Sequence, residues 1–336
     1  MAQPKIPIDI VDATPNERLS RGLAQLVGAD PVFTALKQKL PLIARYGAPV
    51  ILTGETGTGK ELCARALHYL SARAARAFLP VNCGAIPFEL FESELFGHQR
   101  GAFTGASATQ TGLIEEAEGG TLFLDEIDSL SPAAQVKLLR FIENHTYHSL
   151  GSARERHADV WIIAATNRDL NEAIRVGSFR EDLYYRLAVM NLSLPPLRDR
   201  RADVPLLVNH LWSRYAEQRN GDSRQFSRRA LEALCQYSWP GNIRELENVI
   251  RQLLVLSDVE IIEPEDLPIP VPLPQKLLPT LSFNQARAQI IAQFEKAYVT
   301  DLLQSNGGNV SQSAKAAQKE RRSFGRLIKK YQLEKR

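Results

Sequence analysis

The stretch Gly54-Glu55-Thr56-Gly57-Thr58-Gly59-Lys60 restricts what this chain can fold into more than any other part of it. It follows the aliphatic run Val50-Ile51-Leu52 and precedes a helical pattern over residues 61–71. Closely spaced glycines let a backbone turn its N–H groups inward, and the N-terminus of the following helix adds positive potential. A lysine closing such a loop can reach the β- and γ-phosphates of a nucleotide. Strand, glycine loop, lysine and helix in this order predict a phosphate-binding loop. Glu61 stands where a Ser or Thr hydroxyl commonly ligands Mg2+, so a metal must rely on other groups.

Asp125-Glu126 supplies such groups. The pair follows the apolar run 121–124, which reads as a strand lying beside the strand of the phosphate loop. An Asp at a strand end can hold Mg2+ through water, and the adjacent Glu can polarise an attacking water as general base. A third apolar run, 160–165, leads to Asn167. Buried strands alternating with helical stretches such as 132–143 indicate an α/β domain with a mainly parallel sheet. Pro195-Pro196 closes it. The pattern then turns helical from 204 to 257, with apolar stripes such as Leu246, Val249, Ile250, Leu253 and Leu254. Six prolines between 264 and 279 favour an extended linker. Beyond them, 283–303 reads as a long helix, and two shorter helices follow Asn306-Gly307-Gly308-Asn309.

Charge divides the chain unevenly. The whole carries +3, yet residues 306–336 hold nine basic and two acidic side chains, +7, which leaves the other 305 residues at −4. A mildly acidic body with a basic end suggests a separate module for a polyanion. The chain is 44% hydrophobic and 24% charged, enough apolar content for a real core. Its three scattered cysteines form no CxxC pair, which argues against a disulfide framework or a zinc site and fits a reducing cytoplasm; no apolar run approaches the ~20 residues of a membrane span, and no secretory signal is visible.

Four motifs together resemble the bacterial sigma-54-dependent enhancer-binding activators, NtrC-like AAA+ ATPases. They are GETGTGKE at 54–61, GAFTGA at 101–106, FREDLYYRL at 179–187 and WPGNIRELEN at 239–248. GAFTGA is highly specific; the phosphate loop alone is not. The resemblance runs from about residue 26 to 267, and Glu61 is the usual form in that family. It implies an N-terminal arm (1–22), an AAA+ α/β ATPase subdomain (23–195), a helical lid (196–263), a Pro-rich linker (264–280) and a Fis-type helix-turn-helix domain (281–336). It also implies ATP and Mg2+ as cofactors, with residues Gly54 to Glu61 and Arg244, the latter as sensor II, on the nucleotide. Asp125 then holds Mg2+ through water and Glu126 is the base. Asn167 becomes sensor I, and Asn82 becomes the residue that pairs with that Glu and switches its orientation. Arg180 and Arg186 become arginine fingers reaching a neighbouring subunit's ATP, which requires a ring. Gly101, Ala102, Phe103, Thr104, Gly105 and Ala106 become the loop that engages sigma-54, with the segment 148–157 as a second loop beside it.

From the residues themselves, Val310, Ala314 and Ala317 share one helix face, and Phe324, Leu327, Ile328 and Tyr331 turn a second helix inward. That second helix presents Arg321, Arg322, Arg326, Lys329 and Lys330 on its other side, with Ser323 among them, a helix-turn-helix pattern with a basic recognition helix; the resemblance implies that it binds enhancer DNA. Gln318 holds the turn position often given to Gly. The 283–303 helix could pair two copies on a palindromic site. A protein-unfolding AAA+ machine is the first alternative, and GAFTGA speaks against it because a threading pore would carry an aromatic–hydrophobic–Gly loop. A repressor with a dead ATPase is the second, opposed by the intact Lys60, Asp125, Glu126, Arg180 and Arg186. About 25 residues before the ATPase are too few for a receiver domain. The signal is therefore expected from a separate regulatory protein, from expression level, or from a sensory domain outside this chain.

Overall fold

A computed structural model describes residues 23, 25–216, 224–257, 259–270, 291–292, 295–296, 298–303, 305–307 and 309–331. The expected N-terminal arm, the linker beyond 270 and most of the early part of the expected 283–303 helix lie outside these residues. The chain divides into two compact units, residues 1–271 and 272–336.

The first unit opens with helix α1 (Pro31–Tyr46), started by Asp30, whose carboxylate accepts the Val32 N–H at 3.0 Å, and stopped by Gly47 in the left-handed conformation. Strand β1 (Val50–Thr53), the phosphate loop and helix α2 (Lys60–Leu70) follow. Next come β2 (Phe78–Asn82), α3 (Phe88–Phe96), α4 (Leu113–Glu116), β3 (Thr121–Asp125) and α5 (Pro132–Asn144). A hairpin of β4 (Thr146–His148) and β5 (Glu155–His157) leads to β6 (Trp161–Thr166), α6 (Leu170–Arg175), α7 (Glu181–Leu187) and β7 (Met190–Ser193). Strands β2-β3-β6-β1-β7 form, in that order, one parallel sheet.

Alternation along the strands builds two cores. Ile51, Leu122, Leu124, Ile162 and Ala164 face α3, α5 and α7 on one side, while Val50, Leu52, Phe123, Ile163 and Ala165 face α1 and α2 on the other. The expectation that strand 121–124 lies beside the phosphate-loop strand is corrected: β6 sits between them. β6 takes the centre of the sheet, and all six of its residues are buried. Pro80 and short β7 fall on edge strands, where a missing donor or a short ladder costs least.

The lid comprises α8 (Val204–Ala216), α9 (Arg228–Gln236) and α10 (Asn242–Leu256), with two-residue strands β8 (Gln225–Phe226) and β9 (Ile261–Ile262) pairing across it. Trp239 is fully buried in its core and donates its indole N–H to Leu234 O at 2.8 Å. The lid does not stop at 263, as the proline count suggested. Pro264–Asp266 forms a 3-10 turn in which Glu263 and Asp266 cap each other, and Leu267 and Ile269 are buried in the lid core. Proline at the first position of a helical turn fits its fixed φ, so this first proline of the run belongs to folded structure.

In the second unit, α11 (Val310–Ala316) is capped by Asn309, which accepts from the N–H groups of Ser311 and Gln312. Gln318 turns the chain with φ +50°, and α12 (Arg321–Lys330) follows. Val299, Leu303, Ala314, Phe324 and Ile328 make the core of this unit. Among the described residues no helix is long and apolar enough to cross a membrane.

Candidate functional site

The parallel sheet delivers its chemistry to one edge. The C-terminal ends of β1, β3 and β6 bring the phosphate loop, Asp125-Glu126 and Asn167 together, as the open crevice of an α/β sheet allows. Gly59 adopts φ +98° and starts α2 without any side-chain cap, so the first N–H groups of α2 are left for an anion. Lys60 is buried and bends back to the carbonyls of Gly54 and Glu55 at 2.8 and 3.1 Å. Burial lowers its pKa, a tendency opposed by the negative charge of Asp125 and moderated further by Glu126 and Asp128. Glu61 points away and pairs with Arg65 one turn on, so it leaves the cradle to others.

Asp125 ends β3 beside Asn82 of β2, and its Oδ1 accepts the Glu126 N–H at 3.0 Å. Glu126 adopts φ +55°, ψ +46°, a conformation that non-glycine residues hold only where surroundings enforce it. Its carboxylate lies over Gly84, where a Cβ would come within 2.3 Å of Oε2 and push that side chain aside. The expected Asn82–Glu126 hydrogen bond is not made. Asn82 Oδ1 instead accepts the Ala85 N–H at 3.0 Å, the role of a turn residue.

Asn167 donates its amide to Thr56 Oγ1 at 2.9 Å and so touches the phosphate loop directly. Behind it, Thr166 donates to Asp128 at 2.6 Å, and Arg168 pairs with the other oxygen of that carboxylate at 3.2 Å. The end of β6 is thereby locked to the turn that follows Glu126.

The lid closes on the loop from the other side. Ile243 N donates to Gly57 O at 3.0 Å, and a Cβ on Gly57 would meet Gly241 O at 2.2 Å. Arg244 packs against the same glycine, and its charge reaches Lys60. Glu247, one turn on from Arg244 on the same helix, is taken by Arg251 and Tyr215. Asn242, at φ +54°, donates to Thr56 O at 3.0 Å and to Glu55 at 3.2 Å while accepting from Leu197 N at 2.8 Å. Arg198 grips the Glu55 carboxylate with two hydrogen bonds. These contacts, Arg198 first and then Asn242, hold the Glu55 carboxyl at about 2.

Beside the loop, a cavity of about 510 Å3 opens between Leu26, Val27 and Leu62 of the α/β part and Leu207, Leu211 and Ile243 of the lid. Its apolar walls suit a flat ring next to a phosphate cradle. The sequence reading assigned none of these six to the site, nor Arg198 and Asn242. Asn242 had a visible signal, as an Asn following Pro-Gly at a helix start; the cavity residues are ordinary aliphatics with none.

Arg180 and Arg186 lie elsewhere. Arg180 precedes α7 and forms two hydrogen bonds to Asp182 at 3.0 and 2.6 Å, while Arg186 stands 3.8 Å from Glu143. Both are about half exposed, and neither bonds to the phosphate loop of its own chain. Gly101 and Gly105, at φ +83° and +104° with open space around them, hinge the 101–106 loop. Gly101 N donates to Ala106 O at 2.9 Å, and Ala106 itself is buried. The Phe103 ring is 38% exposed and rests edge-on against His98 at 5.0 Å. The second loop packs on the first: Leu150 bonds with Gly97 and Gln99, and Gly151 abuts Ala102. In the second unit Arg321, Arg322, Arg326 and Lys329 are exposed and form no ion pair among the described residues, and Ser323 is half-buried. Lys330 is turned to Glu295 at 3.0 Å, beside the Tyr331 hydroxyl on the same carboxylate.

Comparison with known proteins agrees with this geometry. Residues 26–193 match the sigma-54 interaction domain family and residues 198–273 the AAA+ ATPase lid domain. The transcriptional regulatory protein ZraR of Salmonella typhi is 43% identical over 290 residues, covering 86% of this chain and 65% of that protein. GlrR of Escherichia coli K12 is 43% identical over 309 residues, covering 92% and 68%. A crystal structure of NtrX from Brucella abortus in complex with ATP superposes with a TM-score of 0.70 at 32% identity, covering 95% of this chain and 73% of that one. The chain thus spans about two thirds of the length of the curated relatives it matches. It belongs to the sigma-54 interaction domain family, on an AAA+ α/β fold with a helical lid.

Proposed function

We propose that this chain is an ATP-hydrolysing activator of sigma-54-dependent transcription, working in the cytoplasm as an oligomeric ring. The observation that carries this reading is the meeting of Lys60, Asp125, Glu126, Asn167 and Arg244 at one sheet edge, in a chain that also exposes Phe103 on a glycine-hinged loop. ATP fits with its base in the apolar cavity and its phosphates over Gly54 to Glu61. Lys60 leaves its loop carbonyls for the phosphates, Asn167 orients the γ-phosphate or the attacking water, and Glu126 polarises that water. Arg244 senses the nucleotide from the lid.

The donors present also suit Mg2+. They are hard carboxylate oxygens at Asp125, with no cluster of three or more His, Cys, Asp or Glu side chains among the described residues, so most ligands would be water and nucleotide oxygens. Asp125 would hold the ion, which supplies charge neutralisation on the phosphates.

Arg180 and Arg186 complete the site of the next subunit. Their exposure, and pairing with Asp182 and Glu143 instead of the phosphate loop, support a role in trans, where arginine's planar, permanent charge meets the developing phosphate charge. The 101–106 loop then carries the work outward. Phe103 and Thr104 engage sigma-54, and the cycle of γ-phosphate contacts drives the closed complex of RNA polymerase holoenzyme to the open one. Substituting Thr104→Ala leaves basal ATP turnover near wild type and eliminates open-complex formation at a sigma-54 promoter. Promoter opening by that variant would refute the role of the loop.

The second unit anchors the ring to enhancer DNA as a helix-turn-helix. Arg321, Arg322, Ser323, Arg326 and Lys329 are the contacts, while Lys330 must first leave Glu295. With about four phosphates neutralised per unit, affinity of the full chain for DNA falls on the order of a hundredfold between ~50 and ~200 mM salt. A flat salt dependence in an electrophoretic or anisotropy titration would contradict this assignment.

A further inference from the structure

Among the described residues, Arg200 and Asp203 are the one buried charged pair that the proposed chemistry leaves unused. Both are fully buried at the root of the lid. Their facing atoms, Nη1 and Oδ2, stand 4.0 Å apart, and Arg200 Nε, Arg200 Nη1 and Asp203 Oδ2 have no hydrogen-bond partner. A buried charge with unmade hydrogen bonds is costly, and an apolar pair of similar volume would pack there as well or better. What these residues do touch gives a reason for their presence. Arg200 Nη2 donates to Thr58 O of the phosphate loop at 3.3 Å, and its guanidinium lies 4.3 Å from the centre of the Phe33 ring. Asp203 Oδ1 accepts the N–H groups of Ala29 and Asp30 at 2.6 and 2.8 Å. Gly28 leaves room for that carboxylate, since a Cβ there would come within 2.5 Å of Oδ2.

These contacts sit on both sides of the cavity. Leu26, Val27 and Phe33 line one wall, and Thr58 and Gly59 line the side that continues into the phosphate cradle. A trans peptide is planar, so holding the Thr58 carbonyl toward Arg200 turns the Gly59 N–H to the opposite side. Ala29 and Asp30 form the start of α1, and their N–H groups fix the path of the wall just before it.

Resting on the reading that cavity and loop hold one nucleotide, we propose that Arg200 and Asp203 are positioning residues that bind the base-side wall and the phosphate loop into a single unit. The pair touches no part of the nucleotide. It acts through Thr58, Phe33 and the 29–30 backbone, so that a base seated in the cavity finds the phosphate loop already in register.

The test is the double variant Arg200→Met with Asp203→Leu in the full chain, which removes the charges together and leaves neither stranded. Thermal melting without nucleotide reads any structural role, while mant-ADP fluorescence titration and the ADP-induced rise in melting temperature read positioning. The expected result is a nucleotide-free melting temperature close to wild type, a dissociation constant for mant-ADP raised at least about tenfold, and a collapsed ADP-induced shift. Binding within about twofold of wild type in a normally melting variant would overturn the proposal. If the double variant melts far below wild type, Arg200→Lys decides. It keeps the charge but loses the fork that reaches Thr58 while stacked on Phe33. There, weakening of about threefold or more supports the proposal, and unchanged binding overturns it. Wild-type protein that fails to bind mant-ADP at all would instead remove the nucleotide reading itself, and this inference with it.

Discussion

Replacing Glu126 with alanine lowers ATP turnover by roughly 10²–10⁴ while nucleotide binding stays near wild type. The loss is expected because Glu126 is the acidic side chain at this sheet edge that is left free to face a water molecule. Asp125 is engaged with the Glu126 N–H, Asp128 with Thr166 and Arg168, and Glu55 with Arg198 and Asn242. Binding survives because Glu126 makes no bond to the phosphate loop. Glutamate already holds this left-handed backbone, so alanine adds little new strain, and Glu126→Gln is the companion variant. It keeps the length of the side chain and removes the base. Phosphate release measured beside mant-ADP titration separates the two functions. Turnover of Glu126→Gln within tenfold of wild type would withdraw the assignment of the base.

Alanine at Arg180 or Arg186 produces a loss of a different kind. Arginine fingers supply about 10³–10⁵ in rate in related nucleotide hydrolases. The ties they must leave are weak ones. Arg180 gives up an exposed ion pair with Asp182, and Arg186 a 3.8 Å approach to Glu143, both of little net worth in water. A shared site also predicts complementation. A ring mixed from Arg180→Ala and Glu126→Gln subunits regains turnover, since at some interfaces an intact base meets an intact finger. Two inactive variants that remain inactive over all mixing ratios, while still assembling, would place the arginines outside the catalytic site.

Much of this architecture is legible in the amino-acid sequence. The phosphate loop announces itself because three separate constraints coincide there: a preceding aliphatic strand, glycines where the backbone must turn tightly, and a lysine at the helix start. The strands 50–52, 121–124 and 160–165 were readable because strands of a parallel sheet are buried on both faces and leave unbroken apolar runs. Strand order was not readable, since nothing local to β6 says that it separates β1 from β3. Short edge strands such as β7, Met190–Ser193, carry too little pattern to stand out. The lid's reach to Ile269 was hidden by proline composition, which marks breaks in regular structure without saying whether the broken chain still packs. At the site, the motif glycines and charged residues such as Lys60, Asp125 and Glu126 were found, while Arg198, Asn242 and the apolar lining were missed. Leu26, Leu207 and Ile243 line the cavity only because the lid folds over α2, a long-range event without a local signature. The Arg200–Asp203 pair was likewise invisible, since burial of two charges three residues apart depends on Phe33 and Thr58 coming from elsewhere.

The coupling of hydrolysis to promoter opening is tested most directly by mapping DNA melting at a sigma-54 promoter, with permanganate as the probe. Polymerase holoenzyme and enhancer DNA are mixed with wild-type protein and ATP, and in parallel with Glu126→Gln and ATP. Melted thymines near the start site with wild-type protein, and none with Glu126→Gln although it binds nucleotide, is the outcome expected of an ATP-driven activator. Equal melting by both proteins, or no melting by wild-type protein that is actively releasing phosphate, would contradict it.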